Sequence, residues 1–264
     1  MSVTSKKVGI IGAGKIGGSL VARLSASPDF DLMVSDVHEE QLKHFAEGYG
    51  VKITQSNREV AEASDLLIVA VKPWDVLTVL DEVAPTIEGT AVVSVAAGVP
   101  IKAIEGRLAA GTPVLRVMPN VAASVGLGSA VVAANEAGQE HVPTVMEIFG
   151  HVGDVMELPE RLFDAATALH GSGPAYVALF ADALIQAGVR EGIPRDVARR
   201  LVNQTIGGTS VLLKERSAHQ IRDEVMTPGG TTAAAFVAME KAGFVAAVYD
   251  GIEAATERAR RLAD

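Results

Sequence analysis

Two hydrophobic rhythms divide the chain. Over residues 7 to about 155, short apolar runs alternate with amphipathic stretches. "KVGII" (7–11), "DLMVSD" (31–36), "VKIT" (51–54), "DLLIVAV" (65–71), "AVVSVAAG" (91–98), "PVLRVMPN" (113–120) and "GSAVVAAN" (128–135) predict strands. Residues 19–27, 39–50 and 57–64 between them have helical character. The nearly continuous apolar run at 65–71 is that of a strand covered on both faces. Such alternation predicts an α/β fold built on a doubly wound sheet.

From about residue 160 the period lengthens. In 174–192, Val177, Phe180, Ala181 and Leu184 share one face, and in 244–264, Val245, Val248, Ile252, Ala255, Ala259 and Leu262 recur at three- and four-residue steps. The segment 194–215 opens on Pro194, whose missing N–H costs little at a helix start. The second half is therefore expected to be all-α. It is rich in Ala and Gly, which let helices approach closely, and its apolar faces would be buried more fully against another copy of the chain. The expected division is residues 1–158 and 159–264, with a short junction at "GDVMELPERL" (153–162).

Composition narrows the classes. The chain has 264 residues, is 48% hydrophobic and 21% charged, and so is globular rather than disordered. A formal net charge of −9 argues against nucleic acid or an anionic membrane surface as main partner. No cysteine is present, so disulfides, thiolate nucleophiles and Cys-ligated metals are excluded, which is compatible with a cytoplasmic protein. "MSVTSKK" runs into a strand rather than a signal peptide. The longest nearly apolar stretch, 121–134, has 14 residues and is too short to span a bilayer. The histidines at 38, 44, 141, 151, 170 and 219 lack metal-type spacing, so no metal is expected.

Candidate chemistry begins at "IIGAGKIGGSL", where Gly12, Gly14 and Gly17 form G-x-G-x-x-G between a strand and a helix. In a dinucleotide site the first glycine makes the tight turn, the second admits the pyrophosphate and the third lets helix pack on strand. Ala13, Lys15 and Ile16 complete the loop, and the helix-end N–H groups face the phosphates. An ordinary glycine turn is the plain alternative. Ser35 and Asp36 end the second strand, 19 residues beyond Gly17 in the case of Asp36. An acid there accepts from the ribose hydroxyls of NAD and repels the 2′-phosphate of NADP, which favours NADH over NADPH. His38 and Lys43 lie close enough in sequence to serve a phosphate instead, and Asp36 also reads as a turn residue. Ala70, Val71, Lys72 and Pro73 follow the fourth strand, where loops line the cofactor crevice, although Lys72 also reads as a solvated lysine before a turn.

In the helical half, "MTPGGTTAAAFVAME" places Pro228, Gly229 and Gly230 before Thr231 and Thr232 and an apolar helix. It reads either as a helix start or as a pocket for something small and negatively charged. Backbone N–H groups of a Gly-Gly-Thr turn make such a nest, aided by the helix dipole.

The motifs "GIIGAGKIGGSL", "SDLLIVAVKPWDV", "VVSVAAGV", "VLRVMPN", "GSGPAYVALFADALIQAGVREGIPRDVARRLVNQTIGG" and "DEVMTPGGTTAAAFVAMEKAGF" together resemble the Δ1-pyrroline-5-carboxylate reductase family over nearly the full length. The resemblance implies a Rossmann-type domain that binds NAD(P)H and a helical domain that binds substrate and dimerises, with dimers often forming decamers. It implies reduction of the C=N bond of pyrroline-5-carboxylate to L-proline. Thr232 matches a threonine whose hydroxyl bonds the ring nitrogen, Thr227, Gly229, Gly230 and Thr231 the substrate nest, and Glu215 an acid near the substrate region of the partner subunit. Asn57 matches an asparagine at the adenosine ribose, and Ala96, Ala97, Gly98, Met118 and Asn120 the strand ends beside the nicotinamide. Helix capping by Thr231, Thr232 or Asn57, a solvated Glu215 and tight strand packing remain the structural alternatives. Gly171, Ser172, Gly173 and Pro174 break a helical stretch, to admit cofactor or neighbour or simply as a kink.

Three departures stand out. His170 replaces the first serine of the family's S-G-S-G-P-A-Y, "MPNVAAS" lacks its Thr-Pro, and Met226 and Thr227 precede P-G-G. The second departure keeps a related cyclic imine, such as a piperideine carboxylate, in view. A β-hydroxyacid-dehydrogenase-like oxidoreductase would carry a lysine on the helix 174–192, which has none. A non-catalytic relative would have a damaged glycine loop or P-G-G-T-T, and both are intact.

Overall fold

A computed structural model describes residues 5–263. Elements are numbered in chain order. The sheet-bearing part contains β1 (Lys6–Ile11), α1 (Lys15–Leu24), β2 (Phe30–Ser35), α2 (Glu39–Tyr49), β3 (Lys52–Thr54), α3 (Asn57–Glu62) and β4 (Leu66–Val69). It continues through α4 (Val76–Val83), β5 (Ala91–Ser94), α5 (Ile101–Glu105), β6 (Val114–Pro119), β7 (Gly128–Ala134), α6 (Val142–Gly150), β8 (Gly153–Glu157) and α7 (Phe163–Ala166). The helical part contains α8 (Gly173–Arg190), α9 (Arg195–Leu212), α10 (Ala218–Val225), α11 (Thr231–Lys241) and α12 (Phe244–Ala263).

Strand pleating decides the core. Successive residues point to opposite faces, so Ile10, Ile68 and Val93 join one apolar layer with Leu20, Leu24 and Phe149. Ile11, Leu67, Val69 and Val92 join the other with Leu80, Ile104 and Phe163. Helices on both faces account for the unbroken apolar runs. The eight strands lie in the order β3-β2-β1-β4-β5-β6-β7-β8. Crossover helices keep β1 to β6 parallel, whereas β7 runs antiparallel to β6 with Leu115 opposite Ala134, and β8 is parallel to β7. The doubly wound sheet expected from the sequence is thus present.

The stretch read as a junction, 153–162, instead holds β8, paired along β7 from Gly128↔Gly153 to Val132↔Glu157. An edge strand has one neighbour and tolerates charges such as Asp154 and Glu157, so it lacks the apolar run that marks an inner strand.

Contacts divide the chain into two units, one of residues up to Ser172 together with those from Ala255, the other Gly173–Ala254. The first holds both apolar layers. In the second, Ala198 is the one buried residue of the isolated chain. Its helices are well terminated locally: Ser217 and Gln220 form a capping box at α10. The α11–α12 pair bends by 51° at Ala242 and Gly243, and Gly243 has φ 75°. No single described helix is long and apolar enough to cross a membrane.

Candidate active site

The glycine turn assigns a different task to each glycine. Gly12 has φ +95°, and a Cβ there would lie 2.8 Å from the carbonyl group of Ala70. Such a backbone angle and such close approach are available to glycine alone. A Cβ on Gly17 would collide with the Gly12 carbonyl oxygen, whereas one on Gly14 would meet nothing within 4 Å. The outer glycines therefore serve packing, and the middle one faces open space. Gly14 is also the N-cap of α1, with no side chain accepting from the first turn. The N–H groups there remain available to an anion, and the helix dipole favours one. Lys15 beside it is exposed.

Neighbouring strand ends hold this turn. The Gly12 N–H donates to the Ser35 carbonyl at 2.8 Å and the Ala70 N–H to the Ile11 carbonyl at 2.7 Å. The Ala13 N–H donates to Asp36 Oδ2 at 2.7 Å, and Gln41 Nε2 donates to the Ala13 carbonyl. Asp36 Oδ1 accepts from the His38 N–H at 2.9 Å and pairs with His38 Nδ1 at 2.8 Å. Burial alone would raise the Asp36 pKa, but the bonds from Ala13 and His38 outweigh it and hold the carboxyl below its ordinary value. Asp36 is thus an anion already bound to the glycine loop. Gln41 carried no sequence signal, since an amide in the first turn of a helix is ordinary there. Lys43 pairs with Glu39 one turn away.

Asn57 is not a cap: Ser56 is the N-cap of α3, accepting from the Glu59 N–H. Asn57 Oδ1 accepts from buried Ser35 Oγ at 2.8 Å, and its Nδ2 donates to Glu82 Oε2 at 2.9 Å. Val71 packs at Gly12, and exposed Lys72 opens a short turn through Pro73. At the end of β5, Ala96 is buried and Gly98 has φ +77°, with its Cβ position 3.0 Å from the Leu262 carbonyl oxygen.

The β6 end leads into an unusual helix. Residues Thr167–Gly171 form a π-turn, closed by Ser172 N–H to the Thr167 carbonyl at 3.0 Å. The glycine-rich break read from the sequence at residues 171–174 lies where this turn hands over to α8, which begins at Gly173. Asn120 Nδ2 donates to the His170 carbonyl at 3.0 Å, and Asn120 Oδ1 accepts from Ala122 and Ser129 N–H groups. Met118 Cε lies 3.2 Å from the Cβ position of Gly171. Among the described residues no three His, Cys, Asp or Glu groups could hold a metal.

In the helical unit, Gly230 is the N-cap of α11 and no side chain caps it. Neither Thr231 nor Thr232 performs the capping role that the sequence left open. Gly229 has φ +68° with nothing within 4 Å of its Cβ position, and the Gly230 N–H donates to the Thr227 carbonyl at 3.0 Å. The turn therefore presents unpaired N–H groups at a helix start, with half-buried Thr232 on its second residue. Arg222 of α10 stacks at 5.9 Å over Phe236 of α11, joining the helices that flank the turn. Glu215 is exposed just beyond α9.

Comparison with known proteins matches these two parts. Residues 160–262 fit the family model of pyrroline-5-carboxylate reductase dimerisation, and residues 7–98 that of coenzyme F420-dependent NADP oxidoreductase. A pyrroline-5-carboxylate reductase of Synechocystis is 39% identical, with 98% of each chain covered. One of Methanosarcina acetivorans is 36% identical, again over 98% of each chain. The solved structure of a pyrroline-5-carboxylate reductase from Coxiella burnetii has a TM-score of 0.94 at 31% identity, covering 99% of this chain and 100% of that one. The Plasmodium falciparum pyrroline carboxylate reductase with NADP bound has a TM-score of 0.86 at 30% identity, with 98% of each chain covered. With full-length similarity of this kind, the chain belongs to the pyrroline-5-carboxylate reductase family.

Proposed function

We propose that this chain reduces 1-pyrroline-5-carboxylate to L-proline with NAD(P)H. The observation that carries the reading is the presence, in one chain of this family, of a glycine turn open only at Gly14 and an uncapped Gly-Gly-Thr-Thr helix start. Residues 1–158 serve the dinucleotide, and 159–264 serve the imino acid and self-association.

When bound, the reduced nicotinamide supplies the hydride that turns the C=N bond into a C–N bond. The space at Gly14 and the N–H groups of α1 suit a pyrophosphate, with Ala13, Lys15 and Ile16 around it. Asp36 and Asn57 suit the adenosine ribose, and Ala96, Ala97, Gly98, Met118 and Asn120 the nicotinamide end. Asp36, ionised and next to the loop, repels a 2′-phosphate, which supports NADH over NADPH. The N–H groups of Gly229 and Thr231 hold the substrate carboxylate, while Thr227 and Gly230, whose own N–H donates to the Thr227 carbonyl, shape the turn. Thr232 Oγ bonds the ring nitrogen, since a hydroxyl donates to an imine and accepts from an iminium or amine. Glu215 acts near the substrate of a partner subunit. The protein's catalytic task is to align the reactants and exclude water, with no metal required. The apolar helices support a homodimer as the basic assembly, with decamers built from it. A cytoplasmic location fits a chain without cysteine.

The test is the initial rate of reduced-nicotinamide consumption on adding pyrroline-5-carboxylate to purified protein. Consumption with matching proline formation is expected. No consumption with either NADH or NADPH would end the proposal.

A further inference from the structure

The sheet-bearing unit buries most of its large apolar side chains, yet two of the most exposed ones flank the glycine turn. Val37 is 87% exposed and Trp74 76% exposed. Val37 follows Asp36 beyond the end of β2, and Trp74 lies in the short turn Pro73–Asp75 beyond the end of β4. Strand β1 lies between β2 and β4, and the parallel register sets Ile11 level with both Ser35 and Val69. The three strands therefore end together on one edge of the sheet, where dinucleotides bind. Both flanking turns touch the glycine turn. Asp36 accepts from the Ala13 N–H, and Ala70 and Val71 lie against the Cβ position of Gly12. The turn at Trp74 is also fixed on its other side. The Asp75 N–H donates to the Lys72 carbonyl at 2.9 Å, and Val76, Val79 and Leu80 of α4 are buried. Folding thus anchors the residues around Trp74 and leaves the indole itself in solvent. A lone exposed valine needs no explanation, but an indole is among the largest apolar groups a chain can leave in water.

We propose that Trp74 is a cofactor-binding residue on which the adenine of the dinucleotide stacks, with Val37 as its apolar neighbour on the β2 side. The proposal rests on the reading that this edge holds NAD(P)H, and it accounts for the part of the cofactor that Gly14, Asp36 and Asn57 leave unheld. With the pyrophosphate at Gly14 and the ribose at Asp36, the base is the end group beyond the ribose, next to the turns that follow β2 and β4. Adenine is a flat π-system that gains from stacking on an aromatic ring, and the indole offers the largest such face among side chains. Stacking engages the face of the base and makes no contact with the ribose 2′ position. Trp74 therefore serves NADH and NADPH alike, whereas Asp36 tells them apart.

The chain has one tryptophan, so its fluorescence reports this position alone. ADP-ribose, which carries the adenine and lacks the nicotinamide, is titrated into the wild type and followed by tryptophan emission and by calorimetry. Affinities for ADP-ribose, NADH and NADPH are then measured by calorimetry on Trp74→Ala and Trp74→Phe. The expected result is saturable quenching in the wild type with the calorimetric midpoint. All three ligands should bind about tenfold weaker to Trp74→Ala, with the NADPH-to-NADH ratio unchanged, and recover in Trp74→Phe, which restores an aromatic face. Unchanged emission at calorimetric saturation, unchanged ADP-ribose affinity in Trp74→Ala, or equal weakening in both variants overturns the proposal. Weaker self-association of Trp74→Ala in sedimentation, with ADP-ribose affinity unchanged, also overturns it and assigns the indole to an interface between copies. A wild-type protein that binds none of the three ligands overturns the dinucleotide reading itself, and this inference with it.

Discussion

The sheet-bearing unit and the helical unit solve the hydrophobic problem differently. The first buries its large side chains internally, with Ile10, Leu67, Phe149 and Phe163 each at most 1% exposed. The second leaves Leu179, Val211, Val237 and Tyr249 each more than half exposed and buries only Ala198. Helix α11 is apolar round much of its surface, a pattern proper to a buried helix, yet Val237 is 51% exposed in the single chain. Covering a large apolar side chain contributes about 1.5–3 kcal/mol, so these helices gain most of their stability from whatever covers them. The match to a dimerisation family identifies that cover as self-association. The contrast teaches that one unit is a complete fold while the other is completed by self-association.

The strongest way to break this contrast is Val237→Glu. An unpaired charge buried in the self-association interface costs about 3–5 kcal/mol, so self-association weakens about a thousandfold. Sedimentation should show monomers and amide exchange a loosened helical unit, with the sheet unit protected. A variant that stays associated would show α11 to be a true surface. Next in size is Thr232→Ala, which removes one aligned hydrogen bond and lowers turnover about ten- to a hundred-fold. Unchanged steady-state kinetics would remove Thr232 from the reaction.

A smaller effect sharpens the other side of the comparison. Asp36→Ser removes the carboxylate proposed to face the ribose and is expected to move the ratio of kcat/KM for NADPH over NADH upward by about tenfold. Because Asp36 also accepts from Ala13, affinity for both cofactors falls as well. A fall in both with a fixed ratio would make Asp36 a loop-holding residue alone.

The smallest effect is on pH stability. His170 has a folded pKa below its ordinary value of 6.5. Below that pH the unfolded chain binds more protons, so stability rises with pH. The contribution is complete above 6.5 and is lost as pH falls through the lowered folded value. The melting temperature should fall by about 2–4 °C per kcal/mol on acidification, and His170→Gln should remove that part of the slope. An identical slope in the variant would mean the ring is protonated without cost.

Much of the fold was legible because periodicity reports burial. The inner strands and the long helices α8, α9 and α12 announced themselves within a few residues of their observed ends. Strand β8 did not, because an edge strand with Asp154 and Glu157 looks like a linker. The glycine turn was legible because strand, turn and helix fix its chemistry locally. The bonds from Asp36 and Gln41 to Ala13, and the Ser35–Asn57–Glu82 chain, were not, since they join elements far apart in sequence. The surroundings of His170 were equally hidden: a sequence shows a histidine but not whether burial holds down its pKa.

The central claim is that the open glycine turn and the uncapped Gly-Gly-Thr-Thr helix start serve one reduction. Its most direct test compares initial rates on pyrroline-5-carboxylate and its six-membered analogue, with NADH and NADPH. The account predicts proline formation equal to reduced nicotinamide consumed, fastest with the five-membered imine and NADH. Nicotinamide consumption without proline, or no consumption with either cofactor, would contradict it.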